Sequence, residues 1–184
     1  MRSSELRGLR WQDVDLKRHE IRVNQRADQF GEIGRPKSES GVRTIPVPPV
    51  VINALKAHKL SQGIGSELVF ANPDGEPRSH ANIVQKGLIP AMIRAGVTSK
   101  TGEKDAESRP VLKAKYSGMH ALRHFYASWL INRKEDGGLG LPVKMVQERL
   151  GHASIVMTMD VYGHLFPRSD DGTELAQAAN ILLG

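Results

Sequence analysis

Two short stretches hold the residue types that could act on a polar bond. The first is His120-Ala121-Leu122-Arg123-His124. Hydrophobic periodicity places it on a helix over 117–133, capped by Ser117 and broken by Gly137-Gly138-Leu139-Gly140. At 100° per residue, Leu122, Phe125, Tyr126, Trp129 and Leu130 gather on one side, and His120, Arg123 and His124 on the other. His120 and Arg123 are three apart and therefore neighbours. The plain reading is a solvated polar face. His120 and His124 also have the spacing of a zinc pair, but the metalloprotease glutamate is absent and Arg123 puts a permanent cation where a metal would sit.

The second stretch is Leu150-Gly151-His152-Ala153-Ser154, followed by Thr158, Tyr162 and His164. Gly151 closes one helix and Ser154 caps the next, which leaves His152 at a tight turn. Thr158 and Tyr162 are four apart and face the same way. Read from its surroundings alone, Tyr162 is a half-buried aromatic with its hydroxyl satisfied. The glycine run 137–140 lacks the Lys-Ser/Thr of a phosphate loop and is a spacer.

The elements that must position these residues follow from pattern. Residues 3–9 read as a short helix with Leu6 and Leu9 inward. Three strand-like segments follow, at 20–26, 32–37 and 42–47, punctuated by Gly31, Gly34 and Gly41, and they form an antiparallel meander. A helix over 49–61 turns Val51, Ile52 and Leu55 inward, with Leu60 at the edge of that stripe. Ser79 caps a helix to about residue 95, which Pro90 kinks. Residues 96–115 are polar, a loop or loose hairpin. Helices over 142–150, 154–165 and 173–183 complete a mainly α, α+β chain with one small three-stranded antiparallel sheet near its start.

Composition sets the outer limits. A chain of 184 residues with 39% hydrophobic and 25% charged side chains suits one globular domain with an appendage. Disulfides, thiolate metal sites and Cys nucleophiles are excluded, because there is no cysteine. No apolar run approaches bilayer length, and no apolar stretch follows Met1-Arg2-Ser3-Ser4-Glu5 to make a signal peptide. The net charge is +6, unevenly spread: Arg168 is the only base in 168–184, against Asp170, Asp171 and Glu174. A basic body favours a polyanionic partner.

Five pieces in order carry a family likeness: Arg2-Ser3-Ser4-Glu5-Leu6 with Gly8-Leu9-Arg10-Trp11; Lys37-Ser38 with Arg43-Thr44-Ile45-Pro46; His120-Ala121-Leu122-Arg123-His124; Leu150-Gly151-His152; and Tyr162-Gly163-His164. Over residues 2–167 the chain resembles the C-terminal catalytic domain of tyrosine site-specific recombinases of the phage-integrase type. The resemblance implies the helical fold of DNA breaking-rejoining enzymes.

It also implies a DNA strand transferase. Tyr162 would attack a phosphodiester, leaving a 3′-phosphotyrosyl link and a free 5′-hydroxyl, and a second 5′-hydroxyl would reverse the step. Arg2, Arg123 and His152 would stabilise the phosphorane, His120 would assist deprotonation, and Lys37 would be the general acid. Glu5 would orient Arg2, while Thr158 and His164 would pack around the site. No metal, ATP or other cofactor is implied.

The implied partners are double-stranded DNA and other recombinase subunits in a tetrameric synapse, on DNA in a bacterial or phage-infected cytoplasm, with no membrane. Measured against that family, residues 1–167 form the catalytic domain without its N-terminal core-binding domain and first catalytic helices. The tail helix in 168–184, with Leu175, Ala178, Ala179, Leu182 and Leu183 at helical spacing, docks on its own domain or on a neighbouring subunit. In the loop, Lys100, Lys104, Arg109, Lys113 and Lys115 are either solvated or touch DNA. Two alternatives stand beside strand transfer: a non-catalytic, truncated DNA-binding module of the same fold, and a metal-dependent hydrolase using His120, His124 and His152.

Overall fold

The computed structural model describes residues 1–63, 65–166 and 173–183. Helix α1 (Ser3–Arg7) starts at Arg2, whose backbone N–H donates to Glu5 Oε2 at 2.7 Å, so the carboxylate three residues on satisfies the first free donor. It ends at Gly8, packed so tightly that a Cβ there would lie 2.7–2.8 Å from backbone atoms of Arg26 and Ala27.

Strands β1 (Val14–Asp15), β2 (Glu20–Val23) and β5 (Arg43–Pro46) form the antiparallel three-stranded sheet, with Val14 opposite Ile21 and Ile21 opposite Ile45. Alternation buries Ile21, Val23 and Ile45 and leaves Arg22 and Thr44 outside. The sheet has the expected size and place but different membership. The segment 32–37 is absent from it, because β3 (Arg26–Ala27) and β4 (Ile33–Gly34) pair separately. Side-chain hydrogen bonds cause the departure. Asn24 Nδ2 donates to Asp13 Oδ1 and Gln25 Nε2 to the Gly8 carbonyl, which draws the chain off β2 and onto α1. Hydrophobic alternation is blind to such bonds.

Helix α2 (Pro49–Gln62) covers this sheet through Ile52 and Leu55. Val51, expected inward, and Leu60, placed at the edge of the stripe, are both exposed, since Ile52 and Leu55 define the contact stripe. Leu9, Val14, Ile21, Val47, Ile52, Leu55 and Val69 make the first core. Next come α3 (His80–Ile83), capped by Ser79, a π-helical turn over Val84–Leu88, and α4 (Ile89–Arg94). The wide turn absorbs the bond that Pro90 cannot donate, so the kink becomes a bulge. Residues 96–115 form a hairpin of β6 (Thr98–Lys104) and β7 (Pro110–Ala114), with all five of their basic side chains exposed.

The second core joins α5 (His120–Ile131), α6 (Val143–Leu150) and α7 (Ile155–Tyr162) through Ala127, Leu130, Ile131, Val146, Leu150 and Tyr162. Helix α5 begins at Met119, without the Ser117 cap. Its buried face also differs from the expected one: Arg123, Ala127, Leu130 and Ile131 point inward, whereas Leu122, Phe125 and Trp129 are exposed. A buried guanidinium takes a place that apolar periodicity would assign to a hydrophobe. The last helix, α8 (Thr173–Leu183), exposes Ile181, Leu182 and Leu183. The side chains of Leu175 and Ala178 fall outside the described residues. No helix among those described is long and apolar enough to cross a membrane.

The contact of Gly8 with β3 fixes α1 on the sheet, so Gly8→Ala should cost about 1–3 kcal/mol by overpacking. Gly34→Ala, where a Cβ meets open space, should stay within roughly 0.5 kcal/mol. Urea unfolding of the two variants measures both.

Candidate active site

The site lies at the seam between the two cores, where arginines from the sheet half reach carbonyls of the helical half. Arg2 Nη1 pairs with Glu5 Oε1 at 3.0 Å and Nη2 donates to the Gly151 carbonyl at 3.2 Å. Arg43, on β5, donates Nε to the Arg149 carbonyl at 3.0 Å and Nη1 to the Gly41 carbonyl at 2.9 Å. Its Nη2 reaches Glu5 Oε2 at 2.8 Å and its Nη1 reaches Oε1 at 3.1 Å. Glu5 is 3% exposed. Burial alone would raise its carboxyl, but the hydrogen bonds and charge of Arg43, then those of Arg2, hold it down at about 2.

Arg123 comes in from α5. Its Nη2 donates to the Leu150 carbonyl at 2.6 Å, while Nη1 is buried with no partner. Burial, then the Arg2 charge, lowers this guanidinium to about 10, so it stays protonated at neutral pH. Three of the carbonyls at the C-terminal end of α6, those of Arg149, Leu150 and Gly151, are thus each taken by a different arginine. A helix end with free carbonyls is a natural seat for cations. Gly151 makes this possible by adopting φ +66, and a Cβ there would strike Arg43 Nη1 at 2.7 Å.

The same turn sets His152. Gln147 Nε2 donates to the His152 carbonyl at 2.6 Å, and His152 Nδ1 shares a hydrogen bond of 2.9 Å with Thr158 Oγ1. Thr158, expected to pack near the site, is wholly buried and orients this ring. Burial, then Arg123, Arg2 and Arg43, pushes His152 down to about 4. The Tyr162 ring lies parallel to it, 6.4 Å between centroids.

Tyr162 is 4% exposed, and burial raises its phenol while Arg123 pulls it back. Its hydroxyl is hydrogen-bonded at 3.0 Å to Nδ1 of His124, not to His120. His120 stands one turn earlier, its ring 4.5 Å from that of His124, on a cavity of about 330 Å³ that Arg2 and Arg123 also line. Among the described residues, no three His, Asp or Glu side chains converge as a metal set.

Arg2, Glu5, Arg123, His152 and Tyr162 therefore come together, with His120 at the edge. Lys37, in the loop after β4, lies on a neighbouring cavity that Arg2 and Glu5 share, and His164 is exposed and apart. Sequence reasoning missed the roles of Arg43 and His124. One signal was available for each: a strand arginine three residues from a proline in a quoted motif, and a second imidazole on the face of His120.

Arg43→Ala should destabilise the fold by about 3–5 kcal/mol, because it leaves the Glu5 carboxylate buried with half its partners gone. Thermal and denaturant melts measure this. Acid should act through the same group. Its folded pKa lies below its unfolded value, so the stabilisation is complete above about pH 4.5 and is lost as pH falls towards 2. The loss is on the order of 3 kcal/mol, and Glu5→Gln should flatten that part of the stability–pH curve.

A family model described as the phage integrase family matches residues 1–168. The chain is 31% identical over 185 residues to a tyrosine recombinase XerC-like protein of Caldanaerobacter subterraneus subsp. tengcongensis, covering 91% of this chain and 43% of that protein. It is 29% identical to the ICEBs1 integrase of Bacillus subtilis, covering 100% of this chain and 46% of the other. The chain thus spans less than half the length of these relatives. The Tn1549 transposon integrase, solved in complex with transposon right end DNA, superposes with a TM-score of 0.66 at 21% identity, covering 99% of this chain and 55% of the other. That likeness shows the same fold, mainly helical with small antiparallel sheets. Extent of the family match and arrangement of the fold agree, and the chain belongs to the phage integrase family.

Proposed function

We propose that this chain is the catalytic part of a site-specific DNA recombinase, and that Tyr162 is its nucleophile. The observation that carries the proposal is the buried, unpartnered Nη1 of Arg123, whose charge is close enough to Tyr162 to offset part of the rise that burial imposes on its phenol. A buried N–H without an acceptor is costly, and a phosphate oxygen arriving in the cavity with Arg2 and His120 would satisfy it.

In this reading the phosphodiester sits between Arg2 and Arg123, whose guanidiniums fork onto its non-bridging oxygens and stabilise the charge that grows in the phosphorane. His152 is held neutral until an anion offsets the arginines, and its ring then donates to the same oxygens. The phenol must lose its proton as it attacks. Imidazole on α5 takes that proton: His124 already holds the hydroxyl, and His120 stands beside it on the phosphate side. The O5′–P bond breaks as the Tyr162–P bond forms, and Lys37 protonates the leaving oxygen. Attack by another 5′-hydroxyl reverses each transfer, so the phosphotyrosyl link conserves the bond energy and ATP has no role. Glu5 and Arg43 hold the arginines and take no part in bond making.

Double-stranded DNA and further recombinase subunits are the partners, the setting is DNA in the cytoplasm of a bacterium, and residues 1–167 are the catalytic unit. Support comes from the family match and from solved relatives, including XerH bound to difH substrate in pre- and post-cleavage complexes.

The test uses suspended duplexes with randomised cores, incubated with the protein in chelator and resolved on denaturing gels. The wild type should trap a covalent adduct and Tyr162→Phe none. Arg123→Ala should lose about 10²–10³-fold in rate. His124→Ala should slow adduct formation most near neutral pH, where the wild-type imidazole is free to take the proton and the phenol is not yet ionised, and the difference should shrink in acid as the imidazole protonates. Binding by the wild type without an adduct would replace this reading with a non-catalytic DNA-binding module. An adduct or cleavage that requires zinc would point instead to a metal-dependent hydrolase.

A further inference from the structure

We infer that Arg26 builds a second phosphate subsite, next to the one between Arg2 and Arg123, for the first phosphate beyond the leaving 5′-oxygen. The inference rests on the strand-transfer reading and extends it to a residue outside the motifs.

Arg26 lies on β3, locked to α1 through Gly8 and the 2.7 Å bond from Gln25 Nε2 to the Gly8 carbonyl. Ala27 is fully buried, so alternation along the strand turns Arg26 the other way. Its cross-strand partner is Gly34, which has no side chain to cover it. Arg26 instead lines a cavity of about 210 Å³ shared with Arg2, Lys37, Ser4 and Ser38.

Nothing there neutralises it. Arg26 Nε is buried without a hydrogen-bond partner, and no carboxylate among the described residues forms an ion pair with it. Glu5, the acidic residue on the cavity wall, already accepts from Arg2 and from both terminal nitrogens of Arg43. Three cations around one committed carboxylate make a site that lacks an anion, and two serine hydroxyls can complete the shell of a phosphate.

Arg2 and Ser4 form the wall common to this cavity and to the larger one holding Arg123 and His120. A strand with its scissile phosphate in the larger cavity and its leaving oxygen towards Lys37 must continue into the smaller one. Its next phosphate then meets Arg26. Arg26 acts as a positioning residue: it draws the 5′-hydroxyl strand past Lys37 and holds it there for the return attack.

Thymidine 3′,5′-bisphosphate carries two phosphates on one sugar in this relation, and thymidine 5′-monophosphate only the first. Titrated calorimetrically or by NMR, the wild type should bind the bisphosphate roughly tenfold more tightly, the scale of one charge-assisted contact. Arg26→Gln should erase that preference while leaving monophosphate affinity unchanged, which also shows that the variant is folded. Arg26→Lys should restore part of it. A wild type without the preference, or an Arg26→Gln protein that keeps it, overturns the subsite. Failure to form a covalent adduct would sink the strand-transfer reading without touching this result.

Discussion

A single carboxylate organises this molecule. Glu5 accepts from the backbone and guanidinium of Arg2 and from two nitrogens of Arg43, all at 3.1 Å or less, with its own side chain shut off from water. Taking one carboxylate and a guanidinium out of water is expensive, and such pairs rarely add much net stability. What this pair supplies is registration. Arg43 spans from Glu5 to the Arg149 carbonyl, and Arg2 from Glu5 to the Gly151 carbonyl, so the sheet half and the helical half can meet in only one way. The bond from Arg123 to the Leu150 carbonyl completes the seam.

The seam has more positive charge than it can neutralise internally. Arg2, Arg43 and Arg123 face one acidic side chain, and the effects reach their neighbours: Arg123 and His152 are pushed down by burial and by the surrounding guanidiniums, while the Tyr162 phenol is caught between burial and the Arg123 charge. An isolated protein optimised only for stability would place another carboxylate here. Its absence among the described residues, with an orphaned N–H on Arg123, is what preorganised binding of a phosphodiester requires: donors fixed in place before the anion arrives, with little left to reorganise. Tyr162, the proposed nucleophile, is restrained in the same way, with its ring against the helical core and its hydroxyl held by His124.

Much of this was legible in the sequence, for physical reasons that differ by element. Helices α6 and α7 were readable because Gly151 must be left-handed and Ser154 must cap, and both do. The gathering of Arg2, Arg123, His152 and Tyr162 was implied by the family resemblance that the ordered motifs carry. The strand exchange at β3 and β4 was hidden, because it depends on Asn24 and Gln25 side chains reaching backbone and carboxylate partners far away in the chain. The orientation of α5 was misread because periodicity treats arginine as a surface residue, whereas Arg123 is sunk beneath α6 and Leu122 and Phe125 are left outside. The role of Arg43 escaped notice for a related reason: a buried ion pair appears in sequence as two ordinary surface charges.

The central claim is that the arginine cluster is assembled and rigid before any DNA arrives, with one position left open on Arg123. Guanidinium resonances of the DNA-free protein, followed by ¹⁵N NMR, test this most directly. The account predicts separate, slowly exchanging signals for Arg43 and Arg123 without ligand, and a shift confined mainly to Arg123 and Arg2 when a short duplex is added. Arginine signals averaged to solution values until DNA binds would contradict it, because the cluster would then be built by the substrate and not by Glu5.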